Sequence, residues 1–176
     1  LAAFLGLILG ASLVWVKSIV DDRLHEPGDV AARFRLLASV PEMHNGVGVP
    51  QLWRDNPGFA NAMSTLRAIL DQHLTEGGKV IQVTSPGRGE GKTLVAAGLG
   101  IAMAQTQKAT LLVDAHLSAP GLGQVFLHEH SQGLAEVLRK QAVSLPSLIW
   151  ETPVRNLYVL PAGGAAQDAL ALLSDP

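Results

Sequence analysis

The sequence predicts an α/β domain with a mostly parallel sheet in three layers, and two observations support this class. Short apolar runs alternate along the chain with longer segments whose apolar residues recur at helical spacing. The strand-like runs are nearly all apolar, as expected where helices cover both faces of a parallel sheet. Alternating strands and helices are typically joined by right-handed crossovers, which make the strands parallel.

Composition limits the classes to which the chain can belong. Of its 176 residues, 48% are hydrophobic and 16% are charged, which is apolar for a soluble domain. The net charge of −2 predicts no general attraction to nucleic acid, so we expect no such partner. The absence of cysteine excludes a disulfide framework and thiolate metal sites. Because Pro176 directly follows an apolar helical pattern, we expect a C-terminally truncated domain.

The first residues are strongly apolar. Residues 1–16 carry no charge, and Trp15 and Lys17 stand where interfacial anchors of a membrane helix would lie. A spanning helix needs about 20 apolar residues, so we predict the C-terminal part of a transmembrane helix over 1–20. The alternatives are a signal peptide, which would need a basic n-region, and a buried core helix. In the membrane reading, the residues that follow are cytoplasmic.

Two segments follow the apolar one. Residues 21–56 mix charged residues with proline and glycine, which predicts a juxtamembrane linker. The α/β domain is predicted over 57–176, and Trp53 and Trp150 are interpreted as packing anchors. The predicted elements are a helix over Phe59–His73, a strand over Lys79–Thr84, a helix over Lys92–Gln105, a strand over Ala109–Asp114, a short helix over Gly133–Arg139 and a strand over Leu157–Leu160.

A glycine-rich turn connects the first predicted strand to the following helix. It ends in Gly91, Lys92 and Thr93, as in the P-loop pattern Gly-x-x-x-x-Gly-Lys-[Ser/Thr], but Pro86 replaces the first glycine. In a P-loop, backbone N–H groups and the helix dipole hold phosphates, the lysine contacts the β- and γ-phosphates, and the hydroxyl binds Mg²⁺. The alternative is a turn with an exposed lysine, which the helix dipole disfavours unless an anion binds.

We therefore predict a P-loop NTPase-like domain that binds ATP or ADP together with Mg²⁺. Asp114 follows the second predicted strand, at the sheet edge where α/β domains bind ligands, and with Thr93 forms the predicted Mg²⁺ site. The alternative for Asp114 is a capping or loop aspartate. His128-Glu129-His130 is interpreted as solvated loop charge rather than a metal site. The predicted nucleotide-binding residues are Gly87, Arg88, Gly89, Glu90, Gly91, Lys92, Thr93 and Leu94.

These motifs together resemble a known family. The segments VTSPGRGEGKT, LLVDAHLSAPGLG, GLAEVL, NLYVLPAGG and LLSDP resemble bacterial tyrosine autokinases of the polysaccharide co-polymerase type. The resemblance implies a protein of the bacterial inner membrane whose cytoplasmic P-loop domain phosphorylates tyrosines in its own tail. It also implies self-association and a partnership with the machinery that exports exopolysaccharide or capsule. The family's Walker B strand and tyrosine-rich tail would lie beyond Pro176, and Tyr158 is predicted to be a core residue.

The chain departs from the family pattern after the second strand. The family's Asp-x-Asp element is Asp114-Ala115-His116 here, so the resemblance matches Asp114 to the Mg²⁺-associated carboxylate, and His116 replaces the second carboxylate, which accepts the proton of the attacking tyrosine. Ser118 replaces an arginine. The resemblance thus implies catalytic roles for Lys92, Asp114 and His116. An imidazole can accept a proton near neutral pH, although it cannot add an anionic charge to the metal site.

The helix before the P-loop also departs from the family pattern. The family's Glu-x-x-Arg-x-x-Arg motif for ring contact keeps only Arg67, with Asn61 and Ser64 at the other two positions. Three functions stay open: an active tyrosine autokinase, a catalytically weakened nucleotide-sensing module, and a ParA/MinD-like ATPase. The last class carries a signature lysine early in the loop, where Gly87 and Arg88 stand here.

Overall fold

A computed structural model describes residues 35–43, 48–73, 80–127, 132–141, 144–164 and 172. Contacts divide the chain into Leu1–Ser39 and Val40–Pro176, and all the helices and strands below belong to the second unit. The predicted membrane helix over 1–20 lies outside the described residues, as does His128-Glu129-His130. Within the described ranges, every helix falls short of the length and hydropathy that a bilayer-crossing segment requires.

The described elements confirm the α/β class. The helices predicted over Phe59–His73, Lys92–Gln105 and Gly133–Arg139 form with bounds that differ by one or two residues, and the strand over Leu157–Leu160 forms as predicted. In chain order the elements are α1 (Val49–Asp55), α2 (Pro57–His73), α3 (Lys92–Ala104), β1 (Thr110–Val113), α4 (Leu122–Val125), α5 (Leu134–Leu138), α6 (Leu145–Leu148), β2 (Trp150–Glu151) and β3 (Leu157–Leu160).

Helices α1 and α2 meet at Asn56. Its Oδ1 accepts a hydrogen bond from the Phe59 N–H at 3.0 Å, which caps α2, while its own N–H donates to the Leu52 carbonyl at 2.9 Å and ends α1. Pro57 suits the first position of α2, where no N–H partner is needed. Helix α1 lies within the segment 21–56, predicted to be a linker because of its proline and glycine content. The C-terminal part of that segment is therefore helical.

Helix α3 lies between α2 and the sheet, and glycines allow close approach on both sides. A Cβ atom at Gly98 would lie 2.5 Å from Phe59 Cζ and 2.8 Å from Met63 Cγ, both on α2. A Cβ atom at Gly100 would lie 2.9 Å from Leu112 Cδ2 on β1. Phe59 and Met63 are fully buried, so this crossing forms the centre of the hydrophobic core.

The sheet has the strand order β1-β3-β2 in the described part of the chain. Strand β1 pairs with β3 in parallel, with Thr110 opposite Leu157 and Val113 opposite Leu160, whereas the short β2 pairs with β3 antiparallel. The pairing of β1 with β3 confirms that these two strands are parallel, as predicted. Leu111 and Val113 share one face of β1 and are 46% and 47% exposed. A three-layer domain would cover this face with helices, so the three-layer arrangement stays a prediction.

The strand predicted over Lys79–Thr84 is wrong for the residues that the structure describes. Residues 80–84 have no strand assignment and form no ladder with β1, β2 or β3. Val80 is 98% exposed. An apolar run becomes a strand only where a neighbouring strand supplies hydrogen-bond partners, and the described sheet offers none to this segment.

The aromatic residues act as the packing anchors that the sequence predicts. Trp53 meets Phe59 edge-to-face with ring centroids 6.4 Å apart, and Trp150 meets Phe126 in the same way at 6.1 Å. Such pairs contribute about 0.5–1.5 kcal/mol beyond the area they bury. Tyr158 lies half-buried in β3, as expected for a structural residue of a strand.

Candidate nucleotide-binding site

The glycine-rich loop over 85–91 requires glycine at two positions because of its backbone conformation. Gly89 and Gly91 have φ angles of +77° and +81°, in the left-handed region that glycine adopts without steric cost. A Cβ atom at either position would meet no other group within 4 Å. The space around both glycines is therefore open. The positive φ angles, and not steric crowding, are the reason for glycine at these two positions.

Two side chains tie this loop to itself at Gly87. The Ser85 hydroxyl donates to the Gly87 carbonyl at 2.9 Å, and the Glu90 carboxylate accepts the Gly87 N–H at 3.0 Å. Serine hydroxyls commonly stabilise turns in this way. Ser85 was not singled out from the sequence, because its role depends on the local fold of the turn. These two bonds shape the loop.

The loop and the start of α3 present unused donors. Among the described residues, no acceptor engages the backbone N–H groups of residues 91–94. The Lys92 ammonium and the Thr93 hydroxyl likewise have no hydrogen-bond or ion-pair partner in those ranges. Unpaired N–H groups at a helix start carry partial positive charge and attract anions. The structure thus brings the predicted P-loop residues into an arrangement that suits a phosphate chain.

Asp114 is a buried carboxylate that organises the next loop. It is 6% exposed, and its Oδ1 accepts the His116 N–H at 3.1 Å. Its Oδ2 accepts the N–H groups of Gly121 at 2.8 Å and Leu122 at 2.9 Å. A carboxylate offers about four acceptor directions, so these bonds leave little capacity for further ligands. This geometry matches the loop-aspartate alternative, while a contribution to a Mg²⁺ site stays a prediction.

Gly121 lies between Asp114 and Thr93, the second residue of α3. Its N–H bonds to Asp114, and a Cβ atom on it would lie 2.9 Å from Thr93 Oγ1. Thr93 and Asp114, the two residues predicted to bind Mg²⁺, therefore flank the same glycine. Thr93 suits a metal site because its hydroxyl is unengaged within the described structure. Gly121 was not singled out from the sequence, since its importance arises from this tertiary approach.

His116 lies on the same loop as Asp114. Its side chain is half-buried and forms no hydrogen bond or ion pair within the described ranges. No such bond joins Lys92 or Arg88 to Asp114 or His116 in that part of the chain. The structure thus leaves the predicted catalytic roles of these residues untested.

A second buried carboxylate, Glu136, caps the start of α5, which is bonded to the chain that follows β3. It accepts the Gly133 N–H at 2.6 Å, and Arg139 lies 3.4 Å from its other oxygen. At the start of α5, the Leu134 and Ala135 N–H groups donate to the carbonyls of residues 161 and 162 at 2.8 and 2.9 Å. Glu136 stands three residues after the N-cap Gly133, and this spacing is the sequence signal for a glutamate that caps its own helix.

Arg67, the residue retained from the family's ring-contact motif, is paired within its own helix. Its Nη1 lies 2.5 Å from Asp71 Oδ2, one turn later on α2, and Lys108 Nζ lies 3.8 Å from the other Asp71 oxygen. Partly exposed pairs of this kind contribute little stability. The pair orients the Arg67 side chain along α2.

Comparison with known proteins supports the resemblance drawn from the motifs. No protein-family model matches the chain. The succinoglycan biosynthesis transport protein ExoP of Rhizobium meliloti (strain 1021) is 36% identical over 109 residues, covering 61% of this chain and 14% of ExoP. The tyrosine-protein kinase YwqD of Bacillus subtilis (strain 168) is 35% identical over 96 residues, covering 54% of this chain and 40% of YwqD. The chain thus spans less than half of either relative.

Solved structures support the same fold. The kinase domain of the Escherichia coli tyrosine kinase ETK superposes with a TM-score of 0.75 at 22% identity, covering 86% of this chain and 65% of that domain. At this identity the likeness concerns the fold. The chain is thus similar in sequence to ExoP and to the tyrosine-protein kinase YwqD, and similar in fold to a bacterial tyrosine kinase domain, as its motifs indicate.

Proposed function

We propose that the chain contains the cytoplasmic ATP-binding part of a membrane-anchored tyrosine autokinase that regulates the chain length or export of exopolysaccharide or capsule. The observation that carries the proposal is the start of α3, where the N–H groups of residues 91–94 have no acceptor in the described structure. The similarity to YwqD and ExoP supports the reaction and the polysaccharide context. The inner-membrane location, self-association and link to the export machinery rest on the family resemblance.

Each site residue has a role in this proposal. The N–H groups of residues 88–94 would bind the phosphates of ATP, and Lys92 would add a mobile positive charge beside the β- and γ-phosphates. Thr93 would hold Mg²⁺ through its hydroxyl, and the remaining acceptor direction of Asp114 would orient a water of the ion. Bound Mg²⁺ would offset charge on the phosphates. His116 would accept the proton of the tyrosine hydroxyl.

A nucleotide-sensing module without efficient phosphotransfer is the second candidate. It is favoured by His116 and Ser118, which replace a carboxylate and an arginine of the family, and by the three N–H groups that occupy Asp114. Losing a positioned base typically lowers a rate about a hundred- to ten-thousand-fold. Such a loss would leave the phosphate loop and its affinity unchanged, so ATP could still control assembly.

Phosphotyrosine mapping on the complete gene product separates the two candidates. The autokinase predicts phosphotyrosine on the wild-type protein, loss of it in Lys92→Met, and weaker labelling in His116→Ala. The sensor predicts nucleotide binding without phosphotyrosine in the wild type and a gain of labelling in His116→Asp. Unchanged labelling in Lys92→Met would contradict the autokinase, because the modification would then come from another enzyme.

A further inference from the structure

The backbone conformation at position 121 does not explain why glycine stands there, close to Thr93. This residue has φ −131° and ψ −27°, outside the positive-φ region that favours glycine. A Cβ atom there would lie 2.9 Å from Thr93 Oγ1 and 3.1 Å from Thr93 Cγ2. Space, rather than conformation, is therefore what glycine provides at this position.

We propose that Gly121 is a positioning residue that sets the direction of the Thr93 hydroxyl and thereby the Mg²⁺ dependence of nucleotide binding. The inference rests on the proposed nucleotide-binding function. It assigns a role to a residue that touches neither phosphate nor metal, and that acts through its contact with Thr93.

The backbone at Gly121 is fixed, so an added side chain would displace Thr93. The Gly121 N–H donates to Asp114 Oδ2 at 2.8 Å, and its carbonyl accepts the Val125 N–H at 3.3 Å. Leu122 is buried and bonded to the same carboxylate oxygen at 2.9 Å. Retreat of this backbone would break bonds to a buried carboxylate, which is costly.

Thr93 can move at much lower cost. Its hydroxyl has no partner in the described structure, and threonine in a helix divides between two χ1 rotamers. An alanine at position 121 would therefore rotate the Thr93 hydroxyl and leave the fold largely intact. Since the hydroxyl is the predicted metal ligand, the rotation should reduce the benefit of Mg²⁺ and not the affinity of the loop for phosphate.

The test is a titration of the full chain with ADP, once with excess Mg²⁺ and once with EDTA. The dissociation constant in EDTA divided by that in Mg²⁺ is here called the magnesium factor. It is measured for wild type, Gly121→Ala, Thr93→Ala and the double variant. Gly121→Ala should lower the magnesium factor about tenfold, the low end of the effect of removing a residue that orients a metal ligand. For Gly121→Ala, ADP affinity in EDTA is the internal control and should stay unchanged.

The double variant shows whether Gly121 acts through Thr93. In the Thr93→Ala background, Gly121→Ala should have no further effect, because the two atoms closer than 3.4 Å, Thr93 Oγ1 and Cγ2, are gone and the remaining Thr93 Cβ at 3.5 Å is at ordinary contact distance. An unchanged magnesium factor in Gly121→Ala, or an equal loss in both backgrounds, would overturn the inference. So would unfolding by Gly121→Ala in both backgrounds, since the added methyl group would then collide with something other than Thr93.

The wild-type titration separates this inference from the function on which it rests. Wild-type protein that binds ADP equally with Mg²⁺ and EDTA would overturn the role of Gly121 and leave nucleotide binding in place. Wild-type protein that binds no ADP under either condition would overturn both.

Discussion

Two loops lie next to Thr93, one on each side, and they use their polar groups in opposite ways. The phosphate loop, 85–91, is mostly exposed and is tied by its own Ser85 and Glu90 side chains, and within the described ranges the N–H groups of residues 91–94 that follow it have no acceptor. The loop over 114–122 is anchored on the buried Asp114, which takes three N–H groups. The first loop is therefore suited to a ligand, and the second stabilises the fold that supports it.

This contrast predicts different consequences of substitution. Changes in the 114–122 loop should lower the free energy of unfolding, and changes in the phosphate loop should mainly affect ligand binding. The following substitutions test that division and extend it to a second anchored segment, beginning with the largest expected change in stability.

Removing the carboxylate at Asp114 should have the largest effect. Asp114→Ala leaves three N–H groups without their acceptor, and the free energy of unfolding should fall by about 3 kcal/mol. Glu90→Ala is the matched control, because that carboxylate accepts one exposed N–H, and it should cost about 0.5 kcal/mol or less. Urea denaturation measures both. Equal losses would show that the two loops do not differ in the way described.

Glu136 offers a second anchored segment for the same comparison. Glu136→Ala leaves the Gly133 N–H without an acceptor, so stability should fall by about 2 kcal/mol. Glu136→Gln keeps an accepting oxygen and should cost about half as much. Chemical denaturation of both variants checks this order. If the glutamine variant is the less stable of the two, the hydrogen bond to Gly133 is not what Glu136 contributes.

Within the phosphate loop, the backbone conformation should dominate the effect on stability. Gly91→Ala places a Cβ atom in open space but forces a positive φ angle, which costs about 1 kcal/mol. Gly91→Asn should cost less, because asparagine tolerates this region better. Thermal unfolding without nucleotide ranks the variants. A loss in Gly91→Ala comparable to that in Asp114→Ala would mean that the loop is packed rather than open.

Lys92 should have the smallest effect on stability, and with the opposite sign. A cation at a helix start opposes the helix dipole, so Lys92→Met should raise the free energy of unfolding by about 0.3 kcal/mol in the absence of nucleotide. The increase should shrink at high salt, which screens the dipole. Thermal unfolding at two salt concentrations measures it. A marked destabilisation would indicate that Lys92 has a structural partner.

The sequence predicts those parts of the molecule that depend on local pattern. Helices α2 and α3 follow from apolar spacing and from the glycine-lysine-threonine start of α3, and β1 and β3 follow from their apolar runs. The apolar run over 80–84 fails as a strand because pairing depends on a neighbour that no local pattern specifies.

The part of the site that the sequence did not predict consists of contacts between distant residues. Asp114 bonds to Gly121 and Leu122, seven and eight positions away, and Gly121 approaches Thr93 on another element. No spacing rule connects these positions. Helix α1 was missed for a related reason, since its seven residues are stabilised by packing on α2 and α3.

Calorimetric titration with Mg·ADP of the full chain and of Lys92→Met tests the central claim most directly. The account predicts binding by the wild type and an affinity at least about tenfold lower in Lys92→Met, as expected for losing a charge-assisted contact. Urea denaturation without nucleotide should show that the variant is at least as stable as the wild type. A folded wild-type chain that gives no binding heat with millimolar Mg·ADP, or equal affinity in both proteins, would contradict it.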